Sequence, residues 1–431
     1  MEPGDLHGCS EPDRRWFRVR DEITEQATRG RVGDRLTHRD EIDQERLDGF
    51  LSARKATRRD VLRVGSLLPL ATVASPLLGG ADARRAWPLF TPRPTAPPLF
   101  STSPQGRTHT VPSVLGQSAF VGYYDDSLAP AATIDSGDIV IYPNTPSGYG
   151  GRIQPGVTMD DLVAWRSEVV PWGPHTVTGP VFVRGAEPGD VLELRILRME
   201  PIEVGFNFNM PGSFGAGALP DEFPDGVIKT FRLDDGSGST EFLPGIRIPL
   251  APFPGILGVQ PEGPGRKSSV PPGPYGGNMD LRELVEGTRL FLPVFHDGGP
   301  IYISDFHAAQ GDGEVNLTAV ETAARDARLQ VVLHKNASLT WPFVETPTHW
   351  ITTGMSRDLN ECFDTCLHNM MTFMVENIGL TPAEAYGLSS VAASFRVTQV
   401  VDVNKGVHGM LAKDLFAPEL REQIQPVLPA S

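Results

Sequence analysis

From Ala119 onwards, apolar and polar positions alternate over short stretches, separated by clusters of glycine, proline and aspartate. Val191-Leu192-Glu193-Leu194-Arg195-Ile196-Leu197 is the clearest case. A two-residue period buries one face of a strand and leaves polar side chains on the other. Ala131-Ala132-Thr133-Ile134 and Asp138-Ile139-Val140-Ile141-Tyr142 flank Asp135-Ser136-Gly137, and Glu187-Pro188-Gly189-Asp190 likewise separates Val181-Phe182-Val183 from Val191. Both read as strands joined by a tight turn. The repeated order of strand, x-x-Gly-Asp and strand predicts a duplicated hairpin unit, which suits a β-sandwich.

Near the C-terminal end the period lengthens. Over residues 357–377, Leu359, Cys362, Phe363, Cys366, Met370, Phe373 and Met374 fall at helical spacing and form an apolar stripe. Thr381-Pro382-Ala383-Glu384 is a capping box with proline at the first helical position, opening a second helix to about Ser394. Both helices are read as packing elements. The fold expected is mainly β: a sandwich or barrel-like core of paired hairpin units with two C-terminal helices.

The first 56 residues or so are strongly charged and have almost no apolar period, the composition of a chain with nothing to bury. Then come Arg58-Arg59, an apolar stretch from Val64 to Leu78 broken by Pro69 and Pro76, and Ala81-Asp82-Ala83 as a small-x-small cleavage site. This order resembles a twin-arginine export signal and predicts passage out of the cytoplasm through that machinery. The stretch is too short and too proline-broken for a stable membrane span. Residues 1–83 are therefore read as a leader, 84–118 as an extended Pro/Thr/Ser-rich linker, and 119–431 as the catalytic domain.

Composition sharpens this picture at three points. With 45 glycines and 40 prolines in 431 residues, and no Gly-x-y period, the chain is rich in turns, in keeping with short strands. A net charge of −15 excludes nucleic acid as a partner, because a phosphate backbone needs a basic face. Three cysteines make no disulfide framework, and Cys362 and Cys366, four apart on the predicted stripe, read as small buried apolar groups.

His307 is followed at five and seven positions by Asp312 and Glu314, with Gln310, Gly311 and Gly313 between. An imidazole and two carboxylates on a glycine-containing loop can bind a divalent metal and activate water. The same groups can also act without a metal, one carboxylate serving as general base. A solvated polar loop would show the same spacing. His175 and Asp280 are further candidate ligands or orienting groups, and Asp125, just before a strand, a more distant one. Ser268 and Ser269 lack a Gly-x-Ser-x-Gly elbow.

Several longer motifs resemble the acetamidase/formamidase family. They include His175-Thr176-Val177-Thr178-Gly179-Pro180, Pro244 through Phe253, Gly276-Gly277-Asn278-Met279-Asp280, His307 through Glu314, and Lys405 through Met410. The resemblance runs in order over roughly residues 119–416. It implies hydrolysis of short aliphatic amides such as formamide or acetamide to the acid and ammonia, a sandwich-like fold, homo-oligomers and a bound divalent metal, zinc being the ion expected. His307, His175, Asp280 and Asp125 are then the expected ligands. Glu314 would be the general base and later proton donor, Asp312 an auxiliary carboxylate, and Gln310 a hydrogen-bonding partner of the substrate amide. Ser304-Asp305-Phe306-His307 departs from the family's Gly-Asp-x-His, so Phe306 could reshape the pocket. A non-catalytic exported binding protein, or a hydrolase of another small amide or ester, is the alternative reading.

Overall fold

The computed structural model describes residues 99–100, 105–210, 217–234 and 236–426, all within the unit Pro94–Ser431. The expected leader over 1–83 and the first part of the expected linker lie outside the described residues.

Val191–Pro201 and Ala324–His334, each of eleven residues, pair antiparallel inside a nine-stranded sheet. Ile139–Pro143 and Thr108–Thr110 extend it on one side. Arg289–Pro293, Phe343–Glu345, His349–Ser356, Lys405–Ala412 and Ser394–Gln399 continue it on the other. Thr108–Thr110 pairs in parallel with Ile139–Ile141, and Val111 beside it is fully buried. The end of the stretch expected as a linker is thus part of the domain, because its apolar positions find a sheet edge to cover.

The second nine-stranded sheet is organised around Ile301–His307. Phe253–Val259 pairs along one edge of this strand. On the other edge Thr176–Val183 pairs with its start and Glu321–Thr322 with its end. His307 therefore ends a strand where the neighbour changes.

The two x-x-Gly-Asp units do recur, but they are not hairpins. Ala132–Ile134 and Thr176–Val183 pair in parallel within the second sheet, while Ile139–Pro143 and Val191–Pro201 flank Ala324–His334 in the first. Each unit carries the chain from one sheet to the other. The buried Asp138 and Asp190 accept hydrogen bonds from the backbone N–H three residues back, at Asp135 (3.0 Å) and Glu187 (2.8 Å). This side-chain cap satisfies the corner, so the two strands need not pair with each other.

The main core contains residues of both sheets, including Leu192, Leu194, Leu290 and Val331 from the first and Val181, Leu257, Ile301 and Ile303 from the second. It is the filling of a sandwich, and each such aliphatic side chain contributes roughly 1.5–3 kcal/mol on full burial. A second cluster joins Phe343, Trp350 and Leu411 to Met370, Phe373 and Met374 of the C-terminal helical region. Helix Leu359–Phe373 is capped by Asp358, buries Cys362, Cys366, Met370 and Phe373, and runs into a π turn at Met374–Ile378. Helix Pro382–Ala392 carries the expected Thr381/Glu384 box. A third helix, Met159–Val169, was not expected: it buries only Leu162 and so shows no apolar stripe. Among the described residues no helix is long and apolar enough to cross a membrane.

Candidate active site

His307 reaches the site from the last position of its strand and is 1 % exposed. Its Nδ1 lies 2.9 Å from Gln310 Oε1, while Gln310 Nε2 donates to the Asp280 carbonyl at 2.7 Å. Since the amide NH₂ faces that carbonyl, Oε1 is the acceptor and His307 donates through Nδ1. The ring is thereby fixed with Nε2 towards three carboxylates, Glu321 at 3.2 Å, Asp305 at 3.3 Å and Asp280 at 4.0 Å.

Each carboxylate arrives by a different route. Asp305 is two residues before His307 on the same strand, and Glu321 is its register partner across the antiparallel pair. Asp280 follows the short strand Gly276–Asn278, and its N–H donates to the Gly255 carbonyl. Glu314 comes from the loop after His307, which is tied down where the Gly313 N–H donates to Thr398 and its carbonyl accepts from Val400. The same tie brings in Asp402, whose turn is held by Gln399 Oε1. Asp280, Asp305 and Glu314 all have positive φ, at 49°, 55° and 45°. For residues other than glycine this costs of order 1–3 kcal/mol each, strain that folded chains retain mainly at functional sites. Gly255 makes room for the cluster: a Cβ there would lie 2.5 Å from Asp280 Oδ1 and 2.8 Å from His307 Cε1.

Electrostatics follow from packing five carboxyls around two imidazoles. Burial alone would lower the His307 pKa, yet Glu321 and Asp305 hold it well above its ordinary value. Burial works against the Asp305 charge too, but His175 and His307 bring its pKa down to about 2. Burial, only partly offset by His307, raises Glu321 to about 7. Glu314 and Asp402 are pushed well up by burial and by Asp280.

Five buried atoms here have no hydrogen-bond partner among the described residues: Asp280 Oδ1, His307 Nε2, Glu314 Oε2, Asp402 Oδ2 and Asn278 Oδ1. Orphaned polar atoms normally cost about 1–3 kcal/mol each, so a cluster of them marks a place built for a polar ligand. Asp305, His307 and Glu321 form one set of donor atoms lying within 4.8 Å of one another, and Asp280, His307 and Glu314 another. Metal bonds of about 2.0–2.2 Å at tetrahedral angles place ligand atoms roughly 3.3–3.6 Å apart. The 3.2 and 3.3 Å separations from His307 Nε2 fit a small divalent cation.

Of the residues singled out in the sequence, His307, Asp280, Glu314 and His175 come together. His175 Nε2 is 3.9 Å from Asp305, and its Nδ1 is 2.8 Å from Ser269 Oγ. Ser269 is fully buried and its hydroxyl is engaged with the imidazole, so it orients His175. Asp125 does not join the cluster, because Ser127 and Arg266 take its carboxylate. Asp312 turns away to Arg282 and Arg396, in a separate group with Glu283 and His408. Both ends of the Gln310 amide are already used, so it positions His307 and is not free for substrate. Phe306 is buried in the inter-sheet core. Asp305 was inside the motif but given no role, and Glu321 and Asp402 were missed, since only strand pairing and the Gly313 tie bring them near.

The Acetamidase/Formamidase family profile matches residues 117–269 and 264–417. The chain is 30% identical to the acetamidase of Bacillus halodurans, whose structure it matches with a TM-score of 0.64 over 72% of this chain and 98% of that one. For the acetamidase of Yersinia enterocolitica the values are 29% and 0.65, over 73% and 94%. It is 27% identical to an acetamidase of Mycolicibacterium smegmatis in a 200-residue alignment covering 33% of this chain and 49% of that protein. The chain spans about half the length of the curated relatives it matches. With both sheets, the buried carboxylate–imidazole cluster and the profile match over the same residues, this chain belongs to the acetamidase/formamidase family.

Proposed function

We propose that the chain hydrolyses the C–N bond of short linear amides, formamide and acetamide being the first candidates, to the carboxylic acid and ammonia. The observation that carries the reading is the buried His307 imidazole, locked by Gln310 so that Nε2 meets Asp305 and Glu321 at 3.3 and 3.2 Å beside the protonatable Glu314. Family membership and its acetamidase and formamidase relatives support the same reaction class.

Asp305, His307 and Glu321 are the residues that would hold a divalent cation, zinc being the ion expected. Such an ion supplies Lewis acidity, polarising a carbonyl oxygen and acidifying water. Glu314 is the proton carrier, since burial pushes its pKa up and so makes its carboxylate a stronger proton acceptor. Oxygen of the water bonds to the carbonyl carbon while its proton goes to Glu314. The C–N bond then breaks, and Glu314 returns the proton to the departing nitrogen, which leaves as ammonia. Gln310 and Ser269 hold the two imidazoles in place throughout.

A panel of short amides assayed for ammonia tests the reading, with metal analysis before and after chelation. Release of ammonia that stops on chelation and returns with added zinc is expected. No ammonia from any short amide would overturn the reading, and turnover surviving complete metal loss would overturn the role of the cation.

The reading includes export, supported by the Arg58-Arg59 leader and tested by fractionating cells expressing the full chain. It also includes self-assembly, supported by the exposed Phe242, Leu243 and Ile246 on the hairpin Ser239–Pro249 and tested by light scattering.

A further inference from the structure

Two buried tyrosines, Tyr124 and Tyr302, pack with the half-buried Tyr275. Tyr124 meets Tyr275 edge-on at 6.0 Å between ring centroids and Tyr302 at 5.2 Å. The Tyr275 hydroxyl donates to the Pro271 carbonyl, and the Tyr302 hydroxyl lies 3.1 Å from both the Asp125 carbonyl and Gln260 Oε1. The Tyr124 hydroxyl, fully buried, has no hydrogen-bond partner among the described residues.

The backbone segment of Tyr124 is tied to those that carry the site, and Asp305 and Asp280 are close enough to act on the phenol. Two residues earlier, Gly122 donates to the His175 carbonyl and accepts from the Ser269 N–H, tying this segment to the imidazole shelf. On the other side is Gly277, at φ 76° and three residues before Asp280. A Cβ on Gly277 would come within 2.7 Å of the Tyr275 ring and 3.1 Å of the Tyr124 oxygen, so glycine is what lets this segment pass so close to the hydroxyl. Burial, with Tyr275, Asp305 and the other nearby groups, keeps the phenol pKa well above its ordinary value, so the hydroxyl remains a neutral donor.

We propose that the Tyr124 hydroxyl donates a hydrogen bond to the carbonyl oxygen of the amide and strengthens it as negative charge builds there during attack by water. The assignment rests on the amide-hydrolase reading above. A rigid, buried donor needs no reorganisation when the charge develops, which makes it more effective than water in the same place. The phenol keeps its proton, and the proton balance of the reaction is unchanged. Carbonyl recognition suits a compact neutral amide and disfavours a carboxylate, which would add a further negative charge to the acidic cluster.

The test is Tyr124→Phe in the full chain, assayed with whichever amide the wild type turns over. The expected result is a fall in kcat of about 10²–10³-fold, a smaller change in KM, and unchanged metal content. The melting temperature should hold or rise, because no protein partner is lost. Wild-type kcat/KM in the variant would overturn the assignment and leave the function reading intact. A clear loss of melting temperature would overturn it too, showing that the hydroxyl serves the fold. A wild-type chain inactive on every amide would instead overturn the function reading and the assignment with it.

Discussion

Glu321 and His307 stand opposite each other in an antiparallel strand pair, and the carboxylate reaches the imidazole Nε2 at 3.2 Å. Directly opposed residues project to the same side of a sheet, so backbone pairing alone brings them together. With Asp305 on the same imidazole, the pair forms the proposed cation seat. Glu321→Gln keeps the shape and removes the charge, and should lower metal retention after dialysis by at least about tenfold. Metal analysis that matches the wild type would remove Glu321 from the ligand set.

Glu314→Gln should behave differently. Its role is proton transfer, so kcat should fall by about 10²–10⁴-fold while the metal stays bound. Ammonia release and metal content measured on the same preparation separate the two variants. Turnover near the wild-type rate would take Glu314 out of the mechanism.

Gln310→Ala frees the His307 ring and opens its bond to the Asp280 carbonyl. Loss of an orienting partner of this kind weakens metal binding by about 10–100-fold. Titration against a competing chelator would read the change, and an unaltered affinity would show that packing alone sets the ring.

Gly255→Ala puts a methyl into the space that a Cβ would share with Asp280 Oδ1, the Asp305 carbonyl and His307 Cε1, all within 2.8 Å. Overpacking at such a point should cost about 1–3 kcal/mol of stability and displace the carboxylates. Denaturant unfolding and the amide assay should both register it. A fully active, fully stable variant would contradict the tight cradle.

Away from the site, Glu193 predicts part of the acid response. Burial opposes its charge, but hydrogen bonds from His334 and Arg195 and the charge of Arg289 bring its pKa from 4.5 to about 2. A lowered folded-state pKa contributes stability that is present above the unfolded value near 4.5 and lost as pH falls towards 2. The full effect is about 3 kcal/mol. Glu193→Gln should lower the melting temperature at pH 7 and show a smaller further drop between pH 4.5 and 2 by calorimetry. An identical acid slope in the two proteins would exclude this group as its source.

Much of the site was legible because several of its residues lie in unusual local motifs. His307, Asp280, Glu314 and His175 each sit where glycine or a strand end exposes a polar side chain, and the structure brings all four together. The two corner units were also visible, through Asp138 and Asp190, although their topology was not. Asp125, Asp312 and Gln310 shared the chemistry expected of ligands or substrate contacts. Arg266, Arg282 and Arg396, and the His307 ring itself, claimed them instead, and none of those partnerships leaves a mark in local spacing.

Short-range regularities are what the chain determined by itself: the two-residue strand period, the Thr381/Glu384 cap, the apolar stripe of the helix from Leu359, and the motifs that place it in its family. Tertiary structure alone decided that Glu321 faces His307, that Asp402 joins Asp280, and that the Gly-Asp corners pass between sheets. The physical reason is range. A cap or an amphipathic face is complete within one turn or a few strand residues. Strand register and a shared buried charge depend on segments that meet only when the whole sandwich closes.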